Sequence, residues 1–342
     1  MIKVGVIGLG HNGIAHIEAH KRLNKSEITA ICDVNPKRLE EVAKKFDIKK
    51  VYQSAEELCA STDVDAVSIN TGDQYHIEPF LLAIKHKKHV LVEKPLANNL
   101  KQAKKMLKAA RKADPKLKIA VGYILRFNKV FEYVHDICRS SKLGKIFYME
   151  ADYVHNLIYQ KNETDPKTGA NWKLDNEKPM VGGGSHPLDL LRWFSGAEVV
   201  EVSGYSNHMA YPELKADDCQ VALFKFDSGA VAKVAAVYGP RTEMPKFYNL
   251  RVYGTNGTIF DDKIAISKDA DDVHPEFQQI PVDYVPGHAY EPEIEDWLDA
   301  IEKDRKPRCE IFDGGNSTVA ALIGYEALLA KKSFRVPIYK SK

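Results

Sequence analysis

The apolar run Ile2–Ile7, closed at once by Gly8-Leu9-Gly10-His11-Asn12-Gly13, constrains the fold more than any other stretch. After Lys3 the run has no polar alternation, which suits a strand buried on both faces of a parallel sheet. Helical spacing follows over Gly13–Leu23, marked by Ile14, Ile17, Arg22 and Leu23. Strand, glycine turn and helix in that order form a G-x-G-x-x-G unit. Its first glycine permits the turn, the second lets backbone approach a pyrophosphate, and the third lets helix and strand pack closely. Free N–H groups of Gly10, His11 and Asn12 at the helix start then face the phosphates.

The alternation continues. Strands are expected at Ile28–Cys32, Ala66–Asn70, His89–Val92 and Lys118–Gly122. Helices are expected at Pro36–Phe46, Ser54–Cys59, Glu78–His86 and Asn99–Ala113, the first with Asn35 as N-cap and Pro36 at its opening position. Alternating βα units imply a parallel sheet with right-handed crossovers. The pattern changes near residues 122–126. A helix over Val130–Ser140 precedes longer strands at Lys145–Val154, Val199–Ser206, Gln220–Phe226, Ala230–Val237, Leu250–Tyr253 and Thr258–Asp261. Asp227-Ser228-Gly229 and Asn256-Gly257 separate apolar-alternating runs as hairpin turns do. Helices near Glu291–Lys303 and Gly315–Lys331 close the chain. The expectation is an α/β Rossmann domain over 1–122 and an α+β domain over 123–342 with an open, mainly antiparallel sheet.

Three further positions carry chemistry. Asp33 stands at the end of the second strand, twenty residues after Gly13, where a carboxylate accepts from an adenosine ribose and repels a 2′-phosphate. That favours NAD. Lys37 and Arg38 stand close enough in sequence to receive a 2′-phosphate, so NADP stays open. Glu93-Lys94-Pro95 ends a parallel strand, where α/β ligand sites lie. There a lysine can hold a substrate hydroxyl and pass its proton, although an ordinary charge pair has the same spelling. Gly182-Gly183-Gly184-Ser185-His186-Pro187-Leu188-Asp189 places three glycines, able to approach a ligand closely, before a helix that Ser185 can cap. His186 and Asp189 are neighbours on that helix and suit proton acceptance at neutral pH. A linker followed by a capped core helix is the plainer reading.

His16-Ile17-Glu18-Ala19-His20 has histidines four apart, but the order is not H-E-x-x-H, and no metal site is expected. Lys and Arg number 49 against 47 Asp and Glu, so no basic face for nucleic acid stands out. No apolar run reaches the roughly 18 residues that a membrane helix needs. Five scattered cysteines without CxxC spacing fit reduced thiols, and no secretory signal is visible, so a cytoplasmic protein is expected.

Together these residues resemble the Gfo/Idh/MocA family of glucose–fructose oxidoreductase and inositol dehydrogenase. The resemblance spans the whole chain. It rests on GLGHNG at 8–13, Asp33, Asn70-Thr71-Gly72-Asp73-Gln74-Tyr75-His76, EKP at 93–95, Gly122-Tyr123 with Arg126-Phe127-Asn128, and GGGSHPLDLLRWF at 182–194. It implies Asn70, Thr71, Gly72, His76 and Glu93 beside a cofactor, Lys94 as catalytic lysine, and His186 as the histidine that moves the alcohol proton. It also implies a C-terminal sheet used for dimer or tetramer contacts. Two departures stand out. Many members carry an aspartate four residues before the catalytic histidine, where this chain has Gly182; Asp189 lies on the other side of His186. Thr71-Gly72-Asp73 replaces a Thr-Pro-Asn type of sequence.

The expected reaction is hydride transfer between nicotinamide and a secondary alcohol of a sugar, sugar derivative or cyclitol. Tyr123, Arg126, Tyr153, Trp172 and Tyr238 are candidate substrate residues, since aromatics and an arginine suit a polyol. Redox-neutral cleavage of a glycosidic bond and non-catalytic sensing of NAD or sugar are the alternatives.

Overall fold

The computed structural model describes residues 1–157, 174, 176–242, 249–269, 271–285 and 287–341. The chain forms two compact units. One comprises Met1–Phe127, Gly287–Thr318 and Tyr339–Lys342, the other Asn128–Pro286 and Val319–Ile338.

The first unit is a six-stranded parallel sheet. Its strands are β1 (Ile2–Ile7), β2 (Ser26–Cys32), β3 (Lys50–Tyr52), β4 (Ala66–Ile69), β5 (His89–Glu93) and β6 (Ile119–Gly122). The spatial order is β3-β2-β1-β4-β5-β6, and every neighbouring pair is parallel. The connecting helices are α1 (His11–Leu23), α2 (Pro36–Phe46), α3 (Ala55–Ala60), α4 (Ile77–Lys85) and α5 (Leu100–Lys112). This order places the switch point of the doubly wound fold between the carboxyl ends of β1 and β4. The residues explain the layering. β4 and β6 are buried along their whole length, as unbroken apolar runs demand. Asn35 caps α2 by accepting from the amides of Lys37 and Arg38, and Asn99 caps α5 by accepting from Gln102.

The second unit starts with α6 (Lys129–Arg139), capped by Asn128. Its nine-stranded sheet contains β7 (Ile146–Val154), β8 (Val199–Asn207), β9 (Cys219–Phe226), β10 (Val231–Val237), β11 (Arg251–Gly254), β12 (Gly257–Phe260), β13 (Lys263–Ile266), β14 (Gln278–Gln279) and β15 (Phe334–Arg335). The order is β14-β13-β12-β11-β7-β10-β9-β8-β15, antiparallel except between β7 and β10. The hairpins turn where the sequence marks them. Gly229 has φ +89° and donates its amide to the Phe226 carbonyl at 3.0 Å, and Gly257 pairs with Gly254 at the β11–β12 turn. Short helix α7 (Pro179–Gly182) leads into α8 (Ser185–Ser195). Two later helices are α9 (Tyr290–Glu302), in the first unit, and α10 (Ile311–Ala330), which starts among first-unit residues and ends in the second.

Helix α1 buries His16 and His20 with Ile17 and Ala19. The His20 ring bonds Ser26 Oγ through Nδ1 at 2.6 Å and meets Trp297 edge-on at 6.5 Å. Burial, with the charge of His16 adding to it, lowers its pKa from the ordinary 6.5 to about 3. The unfolded chain takes a proton near pH 6.5 that the folded chain refuses. The stability His20 contributes is therefore complete above that pH and is lost as the pH falls. Between pH 7 and pH 5 the loss on this account is about 2 kcal/mol. Urea unfolding of the wild type and of His20→Leu at both pH values should show a steeper acid loss in the wild type. Equal losses would contradict the assignment.

Candidate active site

The glycine turn between β1 and α1 is built as its residues require. Gly8 has φ +88°, and a Cβ there would stand 2.7 Å from the backbone of Asn70 and Thr71. A Cβ on Gly13 would stand 1.9 Å from the Gly8 carbonyl oxygen. Gly10 has nothing within 4 Å of that position. The turn is thus closed on itself at Gly8 and Gly13 and open at Gly10. Gly8 N donates to the Cys32 carbonyl and Asn70 N to the Ile7 carbonyl, each at 2.8 Å, which ties the ends of β1, β2 and β4 together. Asp33 follows β2; its Oδ2 accepts from Leu9 N and its Oδ1 from Asn35 N, both at 2.8 Å. The carboxylate is aimed at the turn and keeps lone pairs for a ribose. His11 is exposed at the start of α1, and Arg38 is exposed in the first turn of α2. Asn12 accepts from the Tyr290 hydroxyl at 3.2 Å.

The fit of a dinucleotide is tested by the polar atoms that border this turn. Asn70 Oδ1 and Thr71 Oγ1, at the carboxyl end of β4, are buried and have no hydrogen-bond partner among the described residues. A buried oxygen left so costs free energy that a ligand donor removes. With open space at Gly10 and a carboxylate at Asp33, the residues fit the cofactor.

Glu93, Lys94 and Pro95 end β5, and the Lys94–Pro95 peptide is cis. The loop is braced on several sides. Glu93 Oε2 accepts from Lys94 N at 3.1 Å, Leu96 N donates to Thr318 Oγ1 at 3.1 Å, and His76 Nδ1 stands 3.0 Å from the Pro95 carbonyl. The other His76 nitrogen lies 2.9 Å from the Thr71 carbonyl. His76 therefore links the β4 and β5 loops, with both nitrogens turned to backbone rather than to a ligand. Burial lowers its pKa, against the backbone bonds that raise it.

Glu93 is buried and meets His16 Nε2 at 3.2 Å, while His16 Nδ1 bonds Ser68 Oγ at 3.0 Å. Burial raises the Glu93 pKa, but the His16 hydrogen bond and the charges of His16, Lys94 and His76 outweigh it and leave it lowered. Spacing alone does not reveal this pair, because residues 16 and 93 meet only once α1 packs against the sheet beside β1, β2 and β4. It also accounts for His16 without a metal. Among the described residues no group of three or more His, Cys, Asp and Glu could hold one.

Tyr123 and Arg126 have no exposed surface. The Tyr123 hydroxyl lies 3.1 Å from Thr318 Oγ1. Arg126 Nη1 donates to Asp313 Oδ2 at 2.5 Å and to the Arg308 carbonyl at 3.2 Å. This differs from the expected cleft-lining position. These polar groups serve the first unit's own interior, because Ile124–Phe127 packs against the 308–318 segment.

The second unit carries the other candidates. His186 lies in the first turn of α8 with Asp189 three residues on, both buried. Tyr153 on β7 stacks on His186 with centroids 6.3 Å apart and planes at 16°, and bonds His155 Nδ1 through its hydroxyl at 3.1 Å. Tyr238 meets Tyr153 edge-on at 5.9 Å. Trp172 lies outside the described residues. Two local expectations are corrected. Ser185 is inside α8, not its cap: Gly184 precedes the helix in an αR conformation without a side-chain bond. The turn before it already serves the amides, Gly184 N donating to the Pro179 carbonyl and His186 N to the Gly183 carbonyl. The glycines, in turn, make room for the protein's own groups. A Cβ on Gly182 would meet Glu177 and one on Gly183 would meet Tyr153. Glu177 escaped the sequence reading because it precedes the glycines with no motif of its own.

Comparison with known proteins agrees with this construction. Residues 2–123 match the Gfo/Idh/MocA oxidoreductase family model with its NAD-binding Rossmann fold, and residues 131–260 match the family's C-terminal domain. Myo-inositol 2-dehydrogenase of Thermotoga maritima is 31% identical over 278 residues, 77% of this chain and 76% of that protein. Inositol 2-dehydrogenase of an Arthrobacter species is 26% identical over 95% of this chain and 93% of its own. The structure of scyllo-inositol dehydrogenase from Lactobacillus casei, with NAD(H) and scyllo-inositol bound, has the same fold, with a TM-score of 0.80 at 20% identity over 98% of this chain and 99% of that one. With a Rossmann sheet glycine-turned for NAD and both family domains present, the chain belongs to the Gfo/Idh/MocA family of NAD-dependent oxidoreductases.

Proposed function

We propose that the protein interconverts a secondary alcohol and ketone on a cyclitol, sugar or sugar derivative, with NAD as partner. Bound NAD supplies hydride acceptance, or donation in reverse. The observation that carries the residue roles is the bracing of the 94–96 loop, Lys94 by Glu93, Pro95 by His76 and Leu96 by Thr318, at the carboxyl end of a parallel strand. In this reading Lys94 holds the reacting hydroxyl, and His186 receives its proton during oxidation and returns it during reduction. Asp189 follows His186 on the same helix as its carboxylate neighbour. Asp33 selects the ribose hydroxyls of NAD, while Gly8, Gly10, Gly13, Asn70 and Thr71 form the cofactor cradle. Tyr153 and Tyr238 are the substrate-facing aromatics; Tyr123 and Arg126, engaged within the first unit, are left out. The named relatives act on inositols, which supports a polyol substrate.

Residues 1–122 form the proposed cofactor domain and 123–342 the substrate and oligomer domain. The register puts exposed Tyr205, Leu223, Val231 and Phe260 on one sheet face, which supports a homodimer or homotetramer built on it. The five cysteines are free thiols, four of them buried, which suits a reducing cytoplasm.

The test is absorbance at 340 nm with NAD or NADP and a panel of inositols, aldoses, sugar acids and glycosides. A rise with NAD and a polyol is expected. Glycoside cleavage without net NADH, or polyol binding without any turnover, would replace this reading with redox-neutral cleavage or sensing.

A further inference from the structure

A chain of buried hydrogen bonds runs through the first unit from the Asn70 amide to the Lys94 backbone. Asn70 Nδ2 donates to Ser68 Oγ at 2.9 Å. Ser68 Oγ stands 3.0 Å from His16 Nδ1, and His16 Nε2 stands 3.2 Å from Glu93 Oε1. Glu93 Oε2 accepts from Lys94 N at 3.1 Å. His16 and Ser68 are closed off from solvent, and Tyr290 meets the His16 ring edge-on at 5.0 Å. His16 therefore acts through its two partners. The chain also has a direction. A carboxylate only accepts, so the proton on His16 Nε2 points at Glu93. Ser68 Oγ accepts from Asn70 and still serves His16 Nδ1 with its proton or its second lone pair. Asn70 thus commits the donor end of its amide to the protein. Its acceptor end, Oδ1, is buried and has no hydrogen-bond partner among the described residues.

We propose that His16 is a positioning residue with two arms: through Ser68 it sets the Asn70 amide so that Oδ1 accepts a hydrogen bond from the bound dinucleotide, and through Glu93 it holds the backbone from which Lys94 reaches the reacting hydroxyl. The second arm rests on the reading of Lys94 above. One imidazole serves both because its nitrogens stand on opposite sides of the ring, and because Ser68 and Glu93 lie near the carboxyl ends of the paired strands β4 and β5. Burial works against an ionised Glu93, and the His16 hydrogen bond leads the influences that keep its pKa low. Without the imidazole, Glu93 is a buried carboxylate short of a donor, and the Asn70 amide loses the partners that decide which of its ends faces outward.

The test uses the full chain, with NAD affinity read by calorimetry and kcat with the polyol that the wild type turns over. Asparagine places its amide where the His16 Nδ1 stands, and glutamine where Nε2 stands, so each keeps one arm. His16→Gln keeps the bond to Glu93 and should cost mainly NAD affinity, about three- to tenfold, the worth of one neutral hydrogen bond. His16→Asn keeps the bond to Ser68 and should cost mainly kcat, about ten- to a hundredfold, the scale of a misplaced reacting group. Ser68→Ala removes one oxygen and should reproduce the NAD deficit of His16→Gln. Parallel losses of affinity and kcat in both His16 variants overturn the proposal, and so does a lowered thermal midpoint with neither quantity moved, which marks a merely structural role. Where the His16 variants do not fold, Ser68→Ala decides: wild-type NAD affinity in that protein overturns the proposal. If Lys94→Met keeps wild-type kcat, the lysine reading falls and the Glu93 arm with it. The Asn70 arm is measured without turnover and still stands or falls on Ser68→Ala.

Discussion

Replacing Lys94 with methionine is expected to lower kcat for polyol oxidation about a thousandfold, the middle of the range for loss of a positioned acid–base group. NAD affinity should stay near the wild-type value. The backbone supports this split. The Lys94 amide is held by Glu93, Pro95 by His76 and Leu96 by Thr318, so the loop keeps its course when the side chain is shortened. Lys94→Arg sharpens the test. Arginine retains charge and can hold a hydroxyl, but it does not release a proton in the working pH range. It should resemble methionine in turnover while binding substrate better. An arginine variant with near-wild-type kcat would show that Lys94 serves as a fixed charge alone. Loss of NAD binding in both variants, with turnover of the bound fraction intact, would move Lys94 out of the chemical step.

The first half of the chain was legible because its signals are local. An apolar run buried on both faces, an Asn-Pro helix start and a glycine turn each act within a few residues, so β1, α2 and β6 lie within a residue or so of where the sequence puts them. What escaped depends on partners. β3 has three residues and is a strand only because Ala30, Ile31 and Cys32 pair with it. β13 to β15 are short edge or near-edge strands for the same reason. The candidate site divides along the same line. Gly8, Asp33 and Lys94 could be picked from spacing to a strand end. Glu93–His16 and Glu177–Gly182 could not, since each couples segments through packing. Arg126 shows what spacing to a motif leaves out: its Nη1 donates to Asp313 and to the Arg308 carbonyl, partners that are distant in sequence. Residue type sets what a side chain can bond, and the fold decides whether anything inside the protein has already taken that bond.

The two glycines that differ most in their surroundings should separate folding from cofactor binding. Gly13→Ala drives a methyl into the Gly8 carbonyl oxygen, 1.9 Å from the Cβ position, and backbone cannot yield as a side-chain tip does. Overpacking of this kind costs about 1–3 kcal/mol. The same shift displaces Gly8, whose amide joins β1 to the end of β2 through the Cys32 carbonyl. Both the thermal midpoint and NAD affinity should fall. Gly10→Ala meets nothing within 4 Å, and the backbone at φ −72° and ψ −165° is open to alanine. Its stability should be unchanged or slightly raised, since alanine restricts the unfolded chain more than glycine does. Its NAD affinity should nevertheless fall about ten- to a hundredfold, the worth of one charge-assisted amide contact to a phosphate. Calorimetric titration of NAD beside thermal unfolding distinguishes the cases. Wild-type NAD binding by Gly10→Ala would show that the space over Gly10 is not where the pyrophosphate lies. Loss of stability in Gly10→Ala would show that the turn is packed from a side that the present geometry leaves open. Loss of affinity at both positions, with loss of stability at Gly13 alone, assigns Gly13 to the closure of the turn and Gly10 to the ligand.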